Sequence, residues 1–231
     1  MKSLCFLLLA AGVVACTTPK ALITGNYVET RGPGVILWES IELQINPNNT
    51  FVYVHSSDDI ASGKYGEGTY KFTDKKLRLT FANLVPATPQ MQSHPLIVHP
   101  DSVIFTFLVK SGNSRNPELG AALPEATIIA LDVVGRVITG TSSDKAGFGT
   151  LRLARASHPQ KLIISSVGLL TWEQACPASS TAYQVQLPEN LGTPYAAGTV
   201  KEFRVLRQAG GQLVLKQGAN TIRLISQLVK P

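Results

Sequence analysis

The stretch SIELQINPNNTFVYV, residues 40–54, is the strongest indication of the fold class. From Ser40 to Ile45 polar and apolar residues alternate, and the same period returns from Thr50 to Val54. Strict alternation is typical of a β-strand with one face buried. Between the two runs, Asn46–Asn49 contains the Asn and Pro residues that favour turns. The stretch therefore predicts a β-hairpin with a four-residue loop.

A second hairpin of the same style follows at residues 68–81, GTYKFTDKKLRLTF. Alternating runs flank a polar turn at Thr73–Lys76. No window of about 12 residues carries apolar residues at the three-to-four spacing of an amphipathic helix. We therefore predict an all-β protein.

The C-terminal part contains further strand patterns at 198–206, 212–216 and 219–226, with Gly210-Gly211 as a turn. Two or three strands are marginal alone, so these need a partner sheet. Residues 22–95 and 190–229 can form one antiparallel sheet or barrel, with 102–187 inserted between them. Consecutive separate domains are the alternative.

Residues 83–100 lack the alternation of the neighbouring segments, because prolines and polar residues interrupt the apolar pattern. Proline cannot donate to a sheet ladder, so this segment is predicted to be a connector outside any sheet interior. Strand patterning resumes at 102–109, which indicates a boundary near residue 100.

Three stretches after this boundary resemble one known family: LPEATIIAL (123–131), SDKAGFGTL (143–151) and KLIISSVG (161–168). They are similar to the carboxypeptidase regulatory-like, transthyretin-like β-sandwich of Bacteroidetes-type envelope proteins. Glu125 replaces the family's usual glycine, and Leu169 its usual aromatic residue. The resemblance implies an immunoglobulin- or transthyretin-like β-sandwich that is a non-catalytic spacer or docking module.

Within that region, Asp144 and Gly147 have the spacing of a turn in which an Asp side chain caps its own backbone and glycine takes a positive φ. Phe148, Leu151 and Leu153 are expected to point into the sandwich.

The flanking strands resemble those of lipocalin-like lipoproteins, through Gly25-Asn26-Tyr27 and the antiparallel runs that follow. This resemblance implies a closed barrel around an apolar ligand. The residues expected to line such a cavity alternate along the strands: Ile41, Leu43, Phe51, Tyr53, Tyr70 and Phe72.

At the N-terminus, Lys2 precedes an apolar run that is too short to span a bilayer, which indicates a secretory signal. Val13-Val14-Ala15-Cys16 resembles the lipobox of bacterial lipoprotein precursors. The resemblance implies cleavage before Cys16, acylation of that cysteine and an outer-membrane address, since Thr17 replaces the Asp of inner-membrane retention. The alternative is an ordinary signal peptide with an accidental cysteine. A lipid-modified Cys16 would leave Cys176 as the remaining thiol, so no intramolecular disulfide is expected.

Charge and spacing exclude several functions. The net charge is +6, but Lys and Arg are interspersed rather than clustered, so no nucleic-acid partner is predicted. The four histidines (55, 94, 99 and 158) lack metal-ligand spacing. Asp58-Asp59 lacks a second acid of fixed geometry, and no nucleophile elbow is present. We predict no catalytic residue, metal or cofactor. The possible ligand-facing residues are aromatic, with a core position as the alternative for the tryptophans: Trp38, Tyr53, Tyr70 and Trp172.

Two functions are compatible with these observations. The first is a lipid-anchored, non-catalytic envelope module that binds a protein or glycan partner. The alternative is a lipocalin-like carrier of a small apolar ligand. The predicted organisation is a signal peptide at 1–15, a lipidated tether at 16–21, antiparallel β-structure at 22–99, a sandwich at 100–188 and C-terminal hairpins at 189–231.

Overall fold

The computed structural model describes residues 21–30, 39–58, 62–97, 101–112 and 120–227. The leader, Cys16, Trp38, Asp59 and His99 lie outside the described residues. The described strands are β1 Gly25–Glu29, β2 Glu39–Ile45, β3 Thr50–Ser57, β4 Lys64–Thr73, β5 Lys76–Phe81, β6 Gln90–Pro95, β7 Ser102–Gly112, β8 Thr127–Leu131, β9 Val137–Ser142, β10 Phe148–Ala154, β11 Lys161–Ser165, β12 Trp172–Ala175, β13 Thr181–Pro188, β14 Thr193–Pro194, β15 Val200–Ala209, β16 Gln212–Gln217 and β17 Asn220–Ser226.

The first five strands and the last three close into an eight-stranded antiparallel barrel. Each strand pairs with the next along the chain, β5 pairs with β15, and β17 returns to β1. The predicted hairpins at 40–54 and 68–81 form β2–β3 and β4–β5. The all-β prediction is confirmed, as is a barrel built from N- and C-terminal strands.

The barrel core follows from the alternation. Leu43 lies directly opposite Tyr53 on the neighbouring strand, so the two side chains share the inner face. Inward-facing residues from all eight strands form one buried cluster: Leu22, Tyr27, Leu43, Ile45, Phe51, Tyr53, Tyr70, Leu77, Leu79, Phe81, Phe203, Val205, Leu213, Leu215, Ile222 and Leu224.

The two ends of the barrel differ. At one end, here called the packed end, Leu22 is buried before β1 begins and Tyr70 closes the interior. The Gln208 side chain donates a hydrogen bond to the Ala21 carbonyl (3.1 Å) and holds the incoming chain there. At the other end, here called the open end, β2 and β15 begin and β1 and β3 finish.

Strands β6 to β13 are inserted between β5 and β15 and form a β-sandwich. One sheet has the order β10-β7-β13-β6, with β7 and β13 parallel, and the other has the order β12-β11-β8-β9. Their facing residues make a second buried core: Val103, Phe105, Phe107, Val109, Ala126, Ile128, Ala130, Leu151, Leu153, Leu162, Ile164, Trp172, Tyr183, Val185 and Leu187. The predicted sandwich fold is therefore confirmed.

One local expectation for the inserted region is wrong, and another needs a refinement. Phe148 is 55% exposed, whereas Leu151 and Leu153 are buried. Phe148 stands an odd number of positions from both leucines, so a strand of period two turns it to the opposite face. The connector at 83–100 stays outside any sheet interior, as predicted, but it contains a strand, β6, whose residues are all exposed. It lies at a sheet edge, where Pro95 is tolerated.

The predicted Asp144 turn forms as expected. Its carboxylate oxygen Oδ1 accepts hydrogen bonds from the backbone of Ala146 (2.8 Å) and Phe148 (2.9 Å). Gly147 takes a φ of 80°, in the region that favours glycine. This turn sets the start of β10.

Candidate ligand-binding site

A cavity of about 760 Å³ occupies the open end of the barrel. We call it the cup, and its walls include Glu29, Glu39, Ile41, Tyr53, Lys201 and Ile222. These residues come from β1, β2, β3, β15 and β17, and closure of the barrel brings β15 and β17 next to the first three strands. Its size lies in the range of pockets that bind small ligands, roughly 300–1,000 Å³.

The Tyr53 ring lies at the base of the cup and packs against two further aromatic rings. Tyr53 is 2% exposed, and its ring centroid lies 6.0 Å from that of Phe81 and 5.9 Å from that of Tyr195. Phe81 and Tyr195 are closer still, at 4.3 Å. Tyr195 follows β14, and its backbone N–H donates to the Tyr65 carbonyl, which continues the barrel wall beyond the end of β5.

Gly66 makes room for these rings. A Cβ at Gly66 would lie 2.6 Å from Cδ1 of Phe81, closer than carbon atoms can approach without displacement. The glycine is thus required by the close packing of the Phe81 ring and not by its backbone conformation.

Lys201 extends across the barrel above these rings. Its Nζ lies 5.0 Å from the centroid of Tyr53 and 5.1 Å from that of Tyr195, within cation–π range. Lys64 approaches the Tyr195 ring as well, at 5.9 Å. Burial, and secondarily the charge of Lys64, lower the pKa of Lys201 from its ordinary value.

Carboxylates line another part of the wall. Glu29 is 8% exposed at the end of β1, and Glu39 lies 3.3 Å from His55 at the rim. Burial, with smaller contributions from Tyr195 and Glu29, raises the pKa of Tyr53 above its ordinary value, so its hydroxyl stays protonated at neutral pH. The cup therefore has aromatic rings below walls that carry both acidic and basic side chains, with His55 and Arg223 also in the lining.

The sequence-predicted aromatic residues are not brought together. Tyr53 lies in the cup, whereas the Tyr70 hydroxyl donates to the Asn46 carbonyl (3.3 Å) near the packed end. Trp172 is buried in the sandwich core, its ring centroid 5.5 Å from that of Tyr183. Trp38 lies outside the described residues.

Sequence reasoning missed most of the cup lining, including Glu29 and Lys201, and it also missed Tyr195, which packs against Tyr53. A signal was available for two of them. Glu29 is two positions from Tyr27, and Lys201 is two positions from Phe203. Because side chains two positions apart on a strand share a face, each is a charged residue at an inward-facing position near a strand end. Tyr195 follows a two-residue strand, and no periodicity marks it.

Two kinds of site are not formed in the part of the chain that the structure describes: a metal site and a reactive thiol. There, no three His, Cys, Asp or Glu side chains are grouped so that they could hold a metal ion. Cys176 is partly buried against the sandwich core, and burial raises the pKa of its thiol to about 11. A thiol with this pKa is a poor nucleophile at neutral pH.

Over the described residues, no helix has the length and apolar character needed to cross a membrane. In comparisons with known proteins, the chain matches no family model, no curated protein and no solved structure. The fold and the geometry of the cup are therefore the grounds for a functional proposal.

Proposed function

We propose that this protein is a non-catalytic binding protein of the bacterial envelope, anchored by lipid on Cys16, with the cup as its ligand site. The observation that carries the proposal is the cup itself, a cavity of about 760 Å³ at the open end of a barrel whose other end is packed. The cavity opens at one end, and most of the residues on its walls are polar or charged, which suits a small polar molecule.

The position of the incoming chain supports a membrane anchor. Ala21 and Leu22 lie at the packed end, and Cys16 stands five positions before Ala21. An extended segment of this length reaches at most roughly 17 Å. A lipid on Cys16 would therefore hold the packed end towards the bilayer and leave the cup facing away from it.

The inserted sandwich supports a docking role. The chain leaves the barrel after β5 and returns at β15, and both of these points lie at the open end. A regulatory-like, transthyretin-like module would thus be attached to the end that carries the cup. Its β8–β9 tip exposes Val133 (82%) and Val134 (67%), apolar side chains available to an envelope protein or glycan partner.

The second candidate function is a lipocalin-like carrier of a small apolar ligand, which the eight-stranded antiparallel barrel favours. Two observations weigh against a purely apolar ligand. Leu43 and Phe51, expected to line a cavity, are at most 1% exposed within the packed cluster. The cup above them has charged walls.

Two experiments test the proposal. Cys16→Ala should release the protein from membranes, and a variant that still fractionates with membranes would contradict the anchor. Native mass spectrometry of the purified protein should detect a retained small molecule, and its removal should shift the NMR signals of Tyr53 and Lys201. If no molecule from an envelope extract perturbs these signals, the cup is not a ligand site.

A further inference from the structure

Cross-strand pairing gathers basic side chains that are scattered in the sequence. Adjacent residues on a strand point to opposite faces, so the neighbours of the inward-facing Leu77, Phe203 and Leu215 point outwards. Exposed cationic side chains on the outer face of β5, β15, β16 and β17 form one surface, which we call the basic wall: Lys76, Arg78, Arg204, Arg207, Lys216 and Arg223.

The pairing register sets like charges side by side. Arg204 lies directly opposite Lys76 on one neighbouring strand and directly opposite Lys216 on the other. Like charges that face each other across a sheet are destabilising. On these four strands, all of them described, the acidic residue is Glu202, which pairs with Arg78 (3.7 Å) and not with the row of three cations. The barrel therefore carries a repulsion that an anionic partner would offset.

The neighbouring strands do not neutralise the basic wall. Next to β5, the outer face of β4 presents Glu67 and Lys71, and the β4–β5 turn adds Asp74 and Lys75, so acids and bases are balanced there. Next to β17, the outward-facing residues of β1 are uncharged. The excess of positive charge is therefore confined to one side of the barrel.

Apolar side chains lie among these cations. Leu206 and Ile225 are large and apolar, yet 47% and 44% exposed. Both line a groove of about 630 Å³, whose charged lining residues within the described chain are Arg207 and Arg223. Val214 lies directly opposite each arginine, and Arg223 also lines the cup. Guanidinium groups match phosphate oxygens, so arginines beside exposed apolar side chains suit a phosphate that carries hydrocarbon.

The incoming chain reaches the barrel at this wall. Gln208 directly follows Arg207 on β15, and its side chain holds the Ala21 carbonyl. Ile23, just after Ala21, is 49% exposed. A lipid on Cys16 would lie at most roughly 17 Å from Ala21 along the chain. The basic wall and the lipid anchor would therefore meet the same bilayer surface.

We infer that the basic wall binds the anionic headgroups of the membrane surface, with Arg207 and Arg223 contacting lipid phosphates and with Leu206 and Ile225 entering the interface. This contact adds to the lipid on Cys16 and orients the barrel on the bilayer. The inference goes beyond the proposed function, because it assigns a surface on the outside of the barrel. It rests on the proposed anchor for the choice of partner.

Vesicle co-sedimentation of unacylated protein separates the basic wall from the anchor. The protein is the chain from residue 16 onwards with Cys16→Ala, which keeps both buried cores. It should bind phosphatidylcholine vesicles that contain about one-third phosphatidylglycerol at least about tenfold more tightly than phosphatidylcholine alone. Raising the salt concentration from about 0.1 M to about 1 M should reverse most of this difference, because the screening length falls from about 10 Å to about 3 Å.

Charge-matched variants locate the contact. Arg204→Gln combined with Arg207→Gln should weaken binding to the anionic vesicles by about 25-fold, since each cation near an anionic surface contributes roughly fivefold. Lys145→Gln combined with Arg152→Gln removes the same net charge from exposed positions of the sandwich and should weaken binding less than about twofold. The wall variant should unfold at no lower urea concentration than its parent, because Arg204 is repelled by its neighbours in the native barrel.

A tryptophan at the groove reports entry into the interface. Leu206→Trp should shift its fluorescence emission to the blue when anionic vesicles are added, relative to the parent protein, because the indole ring leaves water. Val167→Trp is the matched control, since Val167 is 96% exposed in the sandwich, and its emission should not shift.

Each other outcome overturns the inference. Equal binding to the two kinds of vesicle, or equal weakening by the two double variants, would mean that the basic wall does not recognise the membrane. Binding of inorganic polyphosphate without binding of vesicles would assign the wall to a soluble anion instead. If the wall variant fails to fold, the vesicle compositions and the two tryptophan variants still decide.

The anchor is read separately. Fractionation of the Cys16→Ala protein follows a wash at about 1 M salt, which removes the contribution of the basic wall. If salt releases this protein but the unacylated chain does not bind vesicles, the proposed anchor stands and the inference fails. If the washed protein stays on membranes although the vesicle results are as expected, the anchor fails instead.

Discussion

Gly66→Ala should destabilise the barrel by wedging a methyl group against the aromatic rings that pack below the cup. The new Cβ would lie 2.6 Å from Cδ1 and 3.0 Å from Cε1 of Phe81. The ring has little room to retreat, because the centroids of Phe51 and Tyr195 lie 5.1 Å and 4.3 Å from its own. The strain must therefore spread through the aromatic cluster.

The magnitude follows from two opposing effects. Overpacking a well-packed core costs about 1–3 kcal/mol. Alanine restricts the unfolded chain more than glycine does, which returns about 0.4–1 kcal/mol. The expected net loss is about 1–2 kcal/mol, which for a chain of this size lowers the midpoint of thermal unfolding by about 2–8 °C.

Urea unfolding followed by far-ultraviolet circular dichroism measures this loss, with an unchanged m-value as the check that the unfolding transition is comparable. The double variant with Phe81→Leu tests the cause. Removing ring atoms should relieve the clash, so the double variant should lose about 1 kcal/mol less than the two single variants together.

Gly68→Ala is the matched control on the same strand. Its Cβ would collide with the Thr80 backbone carbonyl, which Phe81→Leu leaves in place. That pair should therefore be additive. Additive losses for Gly66→Ala and Phe81→Leu, or an alanine at Gly66 that costs nothing, would refute the reasoning.

The remaining predictions concern the sandwich. Ser143→Ala should cost about 1–3 kcal/mol, because the buried hydroxyl donates to the Leu123 carbonyl (2.6 Å) and accepts from a backbone N–H. Ser102→Ala should leave the free energy of unfolding unchanged, since its buried hydroxyl has no hydrogen-bond partner among the described residues. Urea titration of the two serine variants compares their losses of stability. Asp144→Ala should cost about 1–2 kcal/mol through two lost turn hydrogen bonds, whereas Asp144→Asn, which keeps Oδ1, should cost less. In a Cys5→Ser, Cys16→Ser background, iodoacetamide should alkylate Cys176 roughly 100-fold more slowly at about pH 8 than a thiol of pKa 9.0, because only the thiolate reacts. The rate should rise about tenfold per pH unit up to a pH of about 11, and a rate that levels off near pH 9 would contradict the burial argument.

Local patterns predicted the strands well. The alternation at 40–54 predicted β2, β3 and the loop between them, and the Asp144 turn formed as its spacing indicated. These features depend on residues a few positions apart, whose side-chain direction and turn chemistry the backbone determines locally. Phe148 was misassigned although the same rule, applied strictly, turns it outwards.

The cup was not predictable in this way. Lys201 and Tyr53 stand far apart in the chain, and their contact depends on β15 pairing with β5 after a long insertion. No local pattern specifies which distant strand edges pair. The proposed ligand-facing set included Tyr53 but also Tyr70 and Trp172, which lie elsewhere, because aromatic character alone does not distinguish a cavity wall from a packed core.

Local patterns in the amino-acid sequence specify that the chain forms β-strands, where most of them turn and which face of each strand is apolar. The sequence also contains the lipobox-like segment on which the anchor proposal rests. The closure of the terminal strands into one barrel is visible only in the three-dimensional structure, as is the position of Glu29, Tyr53 and Lys201 around one cavity at its open end. The physical reason is that strand formation follows local alternation and turns, whereas a binding site depends on long-range pairing, which the burial of two separate cores selects.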